Sequence, residues 1–194
     1  MSMNKKRIAI FASGSGTNAE KIMSHFQDHE IGEVSIVLSN KSDAKVLERA
    51  AGFSVSTRVF DRETFYNTTE IVDLFEVLKI DLIVLAGFLW LVPGDLLRAF
   101  PERIINIHPA LLPEYGGKGM YGRHVHEAVI ANREIESGIS IHFVNEIYDE
   151  GRIILQARCE VRSDDSPESL AQRIHPLEYK HYPVVIEELL REMK

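Results

Sequence analysis

Three short apolar runs constrain the fold of this chain more than any other feature: Arg7–Ser13 (RIAIFAS), Glu33–Asn40 (EVSIVLSN) and Asp81–Gly87 (DLIVLAG). The last is nearly all aliphatic, as expected for a strand covered on both faces. Between the runs lie stretches of helical character. Thr17–His29 follows the first run, and Asp43–Gly52 follows the second, with Gly52 as its natural stop. Arg62–Lys79 reads as one helix, its apolar residues Phe65, Ile71, Leu74, Phe75 and Leu78 recurring at helical spacing. Ser54–Val59 is a short strand candidate, Pro93–Phe100 a short helix with proline near its first turn, and Arg103–His108 the next strand. Strands alternating with helices predict an α/β fold built on a doubly wound, mainly parallel sheet.

The pattern changes near Ser137. SGISIHFV and RIILQARCEV are two strand-like runs joined by NEIYDEG, a hairpin-like connection that predicts an antiparallel addition to the sheet. The tail Ser166–Lys194 is helical in composition, with interruptions expected at Pro176 and Pro183. There is no internal repeat, low-complexity linker or compositional break, so one domain over residues 1–194 is expected.

A formal charge of −7 argues against a general nucleic-acid or anionic-membrane surface. A local anion site stays open, because a helix N-terminus binds phosphate without a basic protein around it. The opening MSMNKKRIAIFAS is too short for a membrane span and lacks the layout of a signal peptide; no other run approaches the roughly 20 apolar residues a span requires. The expectation is a soluble, cytoplasmic protein. Cys159 is the one cysteine, which excludes an intramolecular disulfide and a cysteine-rich zinc site; it reads as a small buried hydrophobe on a strand.

Ser13-Gly14-Ser15-Gly16-Thr17-Asn18 sits between the first strand and the first helix. Glycines there allow positive φ and close backbone approach, and the free amides of a helix start hold phosphate. With Ala19 the loop also fits the permissive dinucleotide pattern G-x-G-x-x-A, but the second strand ends VLSNK, with no acid for a ribose until Asp43. A single phosphate, such as a ribose phosphate, is the preferred ligand over a dinucleotide, and a purely structural turn is the remaining reading.

Side chains two apart on a strand share a face, so Asn106 and His108 in INIHPALLPEYGG project together while Ile105 and Ile107 face the other way. Pro109 bars continuation of a central strand, and in open α/β sheets ligands bind beyond the carboxyl ends of parallel strands. Asn offers an amide N–H to a developing oxyanion and His moves a proton near neutral pH, a pairing suited to acyl-type transfer. A carboxylate is still required to hold the imidazole, and Asp149 in the turn IYDEG is the best placed candidate. His124 and His126 raise the question of a metal site with His108, but no carboxylate has ligand-like spacing, so no metal is expected. His25 and His29 read as helix surface, and His142 as core or pocket wall.

FASGSGTN, LAGFLWLVP, INIHPALLPEYGG and SGISIHFVNEIYDEGRIILQ together resemble the folate-dependent glycinamide ribonucleotide transformylase family, in order and over nearly the whole chain from Arg7. The resemblance implies a Rossmann-like formyltransferase fold with C-terminal helices. It implies formyl transfer from the co-substrate 10-formyltetrahydrofolate to the amine of glycinamide ribonucleotide, a step of purine biosynthesis. It further implies Asn106, His108 and Asp149 as the catalytic set, and Gly16, Thr17 and Asn18 as phosphate-binding. Glu178, in HPLEYKHYP, would bind the ribose hydroxyls. The pterin and formyl end is expected against Leu89, Trp90, Leu91 and Val92, and against Ile141, His142, Val144, Asn145 and Glu146. Trp90 stands where many relatives have Arg, and GGKGMYGRHVHEA is longer and richer in glycine than the usual loop. The partners implied are these two small molecules, with no nucleic acid and no membrane. The alternatives are a formyltetrahydrofolate hydrolase using the same triad, a methionyl-tRNA formyltransferase, and a nucleotide-binding oxidoreductase using the glycine loop. The first usually carries an N-terminal regulatory domain, and here the first strand begins by Arg7. The acidic charge and the lack of a C-terminal domain disfavour the second.

Overall fold

The computed structural model describes residues 5–193. The first four residues of the opening segment, and Lys194 at the end of the expected tail helix, lie outside them. Seven strands form one sheet in the order β3-β2-β1-β4-β5-β6-β7. β1 (Lys6–Phe11), β2 (Gly32–Ser39), β3 (Ser56–Val59), β4 (Leu82–Leu85) and β5 (Ile104–His108) run parallel. β6 (Glu136–Phe143) and β7 (Ile153–Glu160) add antiparallel beyond β5, as the NEIYDEG connection predicts. The chain leaves β1 toward β2 on one side and returns to β4 on the other. That reversal between β1 and β4 opens a crevice at the carboxyl ends of the strands, the general ligand position in such sheets.

The sheet is covered on both faces, which is why β1 and β4 are continuous apolar runs. One face packs on α1 (Thr17–Phe26), α2 (Lys45–Gly52), α6 (Arg123–Ala131) and α7 (Pro167–Glu192), through residues such as Ile22, Val46, Val125 and Ile174. The other packs on α3 (Arg62–Asn67), α4 (Glu70–Val77) and α5 (Gly94–Ala99) through Phe65, Phe75 and Leu96. Phe11 centres that second layer, with the rings of Phe60, Phe65, Phe75 and Phe88 within 5.1–5.8 Å of it.

Two expected boundaries are corrected. Arg62–Lys79 is not one helix: it divides at Thr68 and Thr69. The Thr68 hydroxyl donates to Thr64 O and accepts from Glu70 N–H, so side-chain bonds replace the helical ladder there and start α4 afresh. The tail, in contrast, is not interrupted. α7 runs through Pro176 and Pro183 as a single helix of 26 residues. Each proline removes one backbone donor, a cost of about 3 kcal/mol in an isolated helix. The buried stripe Leu170, Ile174, Tyr182, Ile186 and Leu190 holds the helix on the sheet nonetheless. The fully buried Tyr182 hydroxyl donates to Leu85 O at 3.0 Å and reaches Ile105 O at 3.3 Å, pinning α7 beneath β4 and β5. The helix opens on a capping box between Ser166 and Ser169, with Pro167 in its first turn.

Cys159 is half-buried on β7, and burial pushes its thiol pKa up. Among the described residues no helix is long and apolar enough to cross a membrane.

Candidate functional site

A cleft of about 670 Å³ lies over the carboxyl ends of β1, β4 and β5, and its walls contain most of the residues singled out from the sequence. The glycine loop forms one end. Gly16 adopts φ +72°, and a Cβ there would stand 2.5 Å from Val46 Cβ, so α2 packs directly on the loop and only glycine fits. The first α-helical bond of α1 is Glu20 N–H to Gly16 O, which leaves the preceding amides of Thr17 and Asn18 free to meet an anion. Asn18 Nδ2 donates to Glu178 Oε2 at 3.0 Å, joining α1 to α7 across the cleft floor. Asn18 Oδ1 is buried with no hydrogen-bond partner among the described residues, so the pair presents an acceptor still requiring a donor. Burial raises the Glu178 pKa, and the bond from Asn18 opposes that rise.

Ser13 ties this end to the next wall. Its hydroxyl donates to Asn40 Oδ1 at 2.7 Å and accepts from Leu89 N–H at 3.2 Å, while Ser13 N–H donates to Gly87 O. The segment Leu89–Val92 after β4 is thereby held against the glycine loop. Trp90 sits in an aromatic cluster with Phe60, Phe65, Tyr66 and Phe88. The Arg62 guanidinium lies 5.0 Å from the centre of its ring, which sets a cation against this aromatic wall.

Asn106 and His108 do share one face of β5, and Ile105 and Ile107 join the core on the other. A buried clamp fixes the chain beyond His108: Ser140 Oγ donates to Ala110 O at 2.7 Å and accepts from Leu112 N–H and from Gln156 Nε2. Asp149 arrives from the β6–β7 turn, with φ +58°. Its Oδ1 stands 3.4 Å from Asn106 Nδ2 and 3.5 Å from His142 Nε2. Its Oδ2 stands 3.6 Å from His108 Nδ1 and accepts from Gly117 N–H at 3.0 Å. The turn carrying Asp149 depends on Gly151, where a Cβ would lie 1.6 Å from Phe143 O.

His108 is almost fully buried, and its Nε2 bonds Tyr115 O at 2.7 Å. Burial lowers its pKa, and the Asp149 charge and the bond to Tyr115 only partly restore it. Burial pushes Asp149 the opposite way, upward, but the neighbouring His142 ring, the charge of His108 and the Gly117 amide outweigh it, and the net pKa is below the usual carboxylate value. The resting pair is therefore a neutral imidazole facing an ionised carboxylate. Such a pair takes up one proton, and the adjacent amide stabilises negative charge on oxygen.

Of the expected wall residues, Leu89, Trp90, Leu91, Val92, His142 and Val144 line the cleft. Ile141 does not: it alternates with His142 on β6 and is fully buried in the core on the opposite face. Asn145 and Glu146 do not line it either; Asn145 Oδ1 instead accepts from Ile147 N–H. Tyr148, Lys41, Lys118, Tyr121 and His175 line the cleft without having been singled out as wall. The first four come from connecting segments whose path no periodicity fixes, and His175 comes from α7, whose place over the cleft depends on its packing against the sheet.

The other histidines weighed from the sequence are placed as follows. His124 is exposed beside Glu127, and His126 is buried on α6; neither forms a three-ligand group with His108. His25 and His29, expected on a helix surface, are half-buried against Glu187 of α7, and α1 ends at Phe26 before His29 is reached.

The Formyl transferase family profile matches residues 6–186. The phosphoribosylglycinamide formyltransferase of Bacillus subtilis is 36% identical over 190 residues, covering 95% of this chain and 95% of that protein. The chloroplastic phosphoribosylglycinamide formyltransferase of Arabidopsis thaliana is 41% identical over 194 residues, covering 97% of this chain; the chain spans 66% of that relative's length. Among solved structures, glycinamide ribonucleotide transformylase 1 from Symbiobacterium toebii superposes with a TM-score of 0.89 at 33% identity, covering 98% of this chain and 93% of that one.

Proposed function

The chain belongs to the formyl transferase family, and from that premise we propose that it transfers the formyl group of 10-formyltetrahydrofolate to the amine of glycinamide ribonucleotide, in purine biosynthesis. The observation that carries this reading is the convergence of Asn106, His108, Asp149 and the glycine loop on one cleft. A phosphate-bearing acceptor and a one-carbon donor then meet at the acyl-transfer groups.

The acceptor's phosphate sits at the amides of Thr17 and Asn18, and its ribose hydroxyls meet Glu178 and the unpartnered Asn18 Oδ1. Between Leu89–Val92 on one side and His142 and Val144 on the other, the cleft takes the pterin. Arg62 over Trp90 offers a cation at the aromatic wall for the carboxylates of the folate's glutamate.

The neutral amine attacks the formyl carbon, forming the C–N bond and placing negative charge on the formyl oxygen. Asn106 donates to that oxyanion. The attacking nitrogen gives its extra proton to the neutral His108, directly or through water, and Asp149 stabilises the imidazolium so formed. The proton then moves to the folate nitrogen as its bond to carbon breaks, and His108 is neutral again.

The test is an absorbance assay of 10-formyltetrahydrofolate with and without glycinamide ribonucleotide. Folate release that depends on the acceptor is expected. Release at the same rate without acceptor would replace this reading with a hydrolase.

A further inference from the structure

His25, His29 and Glu187 form a group that the cleft chemistry does not use. His25 is in the last turn of α1, and His29 lies just past the helix cap, turned back by Asp28 at φ +57°. The two rings stack at 5.4 Å between centroids, 27° from parallel. Glu187 comes from α7, and its Oε2 stands 2.9 Å from His25 Nε2 and 3.6 Å from His29 Nε2. All three ligand atoms lie within 4.8 Å of one another, the one such group of three among the described residues.

We propose that His25, His29 and Glu187 bind a divalent first-row transition ion of the zinc type, with water as the fourth ligand. A tetrahedral ion with bonds of about 2.0–2.2 Å sets its ligand atoms about 3.3–3.6 Å apart. The separations of 2.9 and 3.6 Å straddle that spacing, so small side-chain movements seat the ion. Two imidazoles and one carboxylate suit zinc, nickel, cobalt or copper and not calcium or magnesium, which take oxygen ligands. Side-chain exposures of 29%, 22% and 20% leave a path for the ion and for the water. Arg191 holds the other carboxylate oxygen, Oε1, from Nε at 3.1 Å, orienting Oε2 toward the imidazoles. The Arg191 and His25 bonds also keep the Glu187 carboxyl below its usual pKa, in the form a cation requires.

Two features limit the affinity. His25 Nε2 donates to the ionised Glu187 Oε2 at 2.9 Å, and His29 Nδ1 accepts from Ile31 N–H at 3.3 Å, so each neutral ring carries its proton on Nε2. Binding shifts both protons to Nδ1 and gives up both bonds, so micromolar affinity is expected. The ion would tie the end of α1 to α7, roughly 12 Å along the helix from the glycine loop. Its effect is on stability and not on the chemistry of the cleft.

The experiment titrates tag-free, metal-stripped protein with zinc chloride by calorimetry, and with cobalt chloride by visible absorption. One ion per chain is expected, with the intense bands of tetrahedral cobalt. His25→Ala, His29→Gln and Glu187→Gln should each weaken zinc binding by about tenfold or more. Zinc should raise the thermal midpoint of the parent protein and not that of His25→Ala, whose formyl transfer should equal the parent's. Glu187→Gln also loses the Arg191 ion pair, so His25→Ala, which leaves that pair intact, decides the matter. Absence of saturable one-to-one binding, or undiminished binding in His25→Ala and His29→Gln, would overturn the proposal.

Discussion

Asn106 and His142 face each other across the β5–β6 ladder as direct register partners, with Asn106 Nδ2 3.1 Å from His142 Nε2. His142 Nδ1 bonds the Phe143 carbonyl at 2.8 Å, which puts the ring proton on Nδ1 and leaves Nε2 to accept from the amide. The second amide hydrogen is engaged only by the long contact to Asp149 Oδ1 at 3.4 Å, and it is the one left to turn to the oxyanion in the proposed step. His142 thus sets the plane of the Asn106 amide. Replacing it with Leu should lower kcat about 2- to 10-fold, the worth of one net hydrogen bond, with the KM for glycinamide ribonucleotide unchanged. His142→Gln, which keeps an acceptor, should recover part of the loss. Steady-state kinetics on both variants check this, and an unaltered kcat in His142→Leu would count against it.

Removing either acyl-transfer group should cost far more. Losing one oxyanion donor raises the barrier by about 2.7–4 kcal/mol, so Asn106→Ala should lower kcat roughly a hundredfold or more. His108→Ala should fall at least as far, because the proton acceptor is lost. Circular dichroism of each variant establishes that it is folded. Near-parent turnover in a folded variant would remove that residue from the mechanism.

The pH profile has a definite sign. Burial holds the His108 pKa below 6.5, so the imidazole is neutral and able to accept a proton at neutral pH. Activity should fall only as pH drops through that lowered value. Asp149 favours the imidazolium; its charge is one of the influences that raise His108. Asp149→Asn should therefore move the acid limb of kcat/KM to still lower pH, besides lowering its plateau. A limb displaced to higher pH in that variant would contradict the pairing.

Much of this arrangement is legible in the sequence, for identifiable reasons. Strand period alone puts Asn106 and His108 on one face, and the proline after them stops the strand where a ligand reaches them. Both survive folding because nearest-neighbour geometry fixes them. The role of His142 is less visible, because its place opposite Asn106 depends on the register of an antiparallel pair, which no single strand encodes. Periodicity does mark Ile141 as its alternate, facing the core, and a stricter use of the two-residue repeat separates the two. The continuity of α7 is not legible either: two prolines argue locally for a break, and the buried stripe that overrules them needs the sheet to pack against. Nor does sequence bring Glu187 to His25, since 162 residues separate them.

His126 makes a separate prediction about stability. It is buried on α6, its Nδ1 has no hydrogen-bond partner among the described residues, and burial lowers its pKa to about 4. The unfolded chain binds a proton at this histidine near pH 6.5, and the folded chain does not until about pH 4. Stability contributed by the neutral ring is fully present above pH 6.5 and declines as pH falls toward 4, by about 3 kcal/mol in all. Denaturant melts of the parent and of His126→Phe across that window should show a shallower pH dependence in the variant. Equal slopes would mean that other groups govern the acid limb.

Gly16 tests whether the phosphate loop is set by backbone conformation or by contact with α2. Its φ of +72° is strained for any residue with a Cβ, by about 1–3 kcal/mol, and the added Cβ would also meet Val46 at 2.5 Å. Gly16→Ala should therefore lose both stability and affinity for glycinamide ribonucleotide. The two causes separate in a double variant. Val46→Ala keeps the Cβ at 2.5 Å but removes the Cγ2 at the same distance, so it relieves only part of the contact and none of the φ strain. Gly16→Ala combined with Val46→Ala should regain a fraction of the melting temperature, while the KM for the acceptor stays raised, because the loop amides remain displaced. Full recovery of KM in the double variant would show that contact with α2, and not the left-handed turn, shapes the anion site.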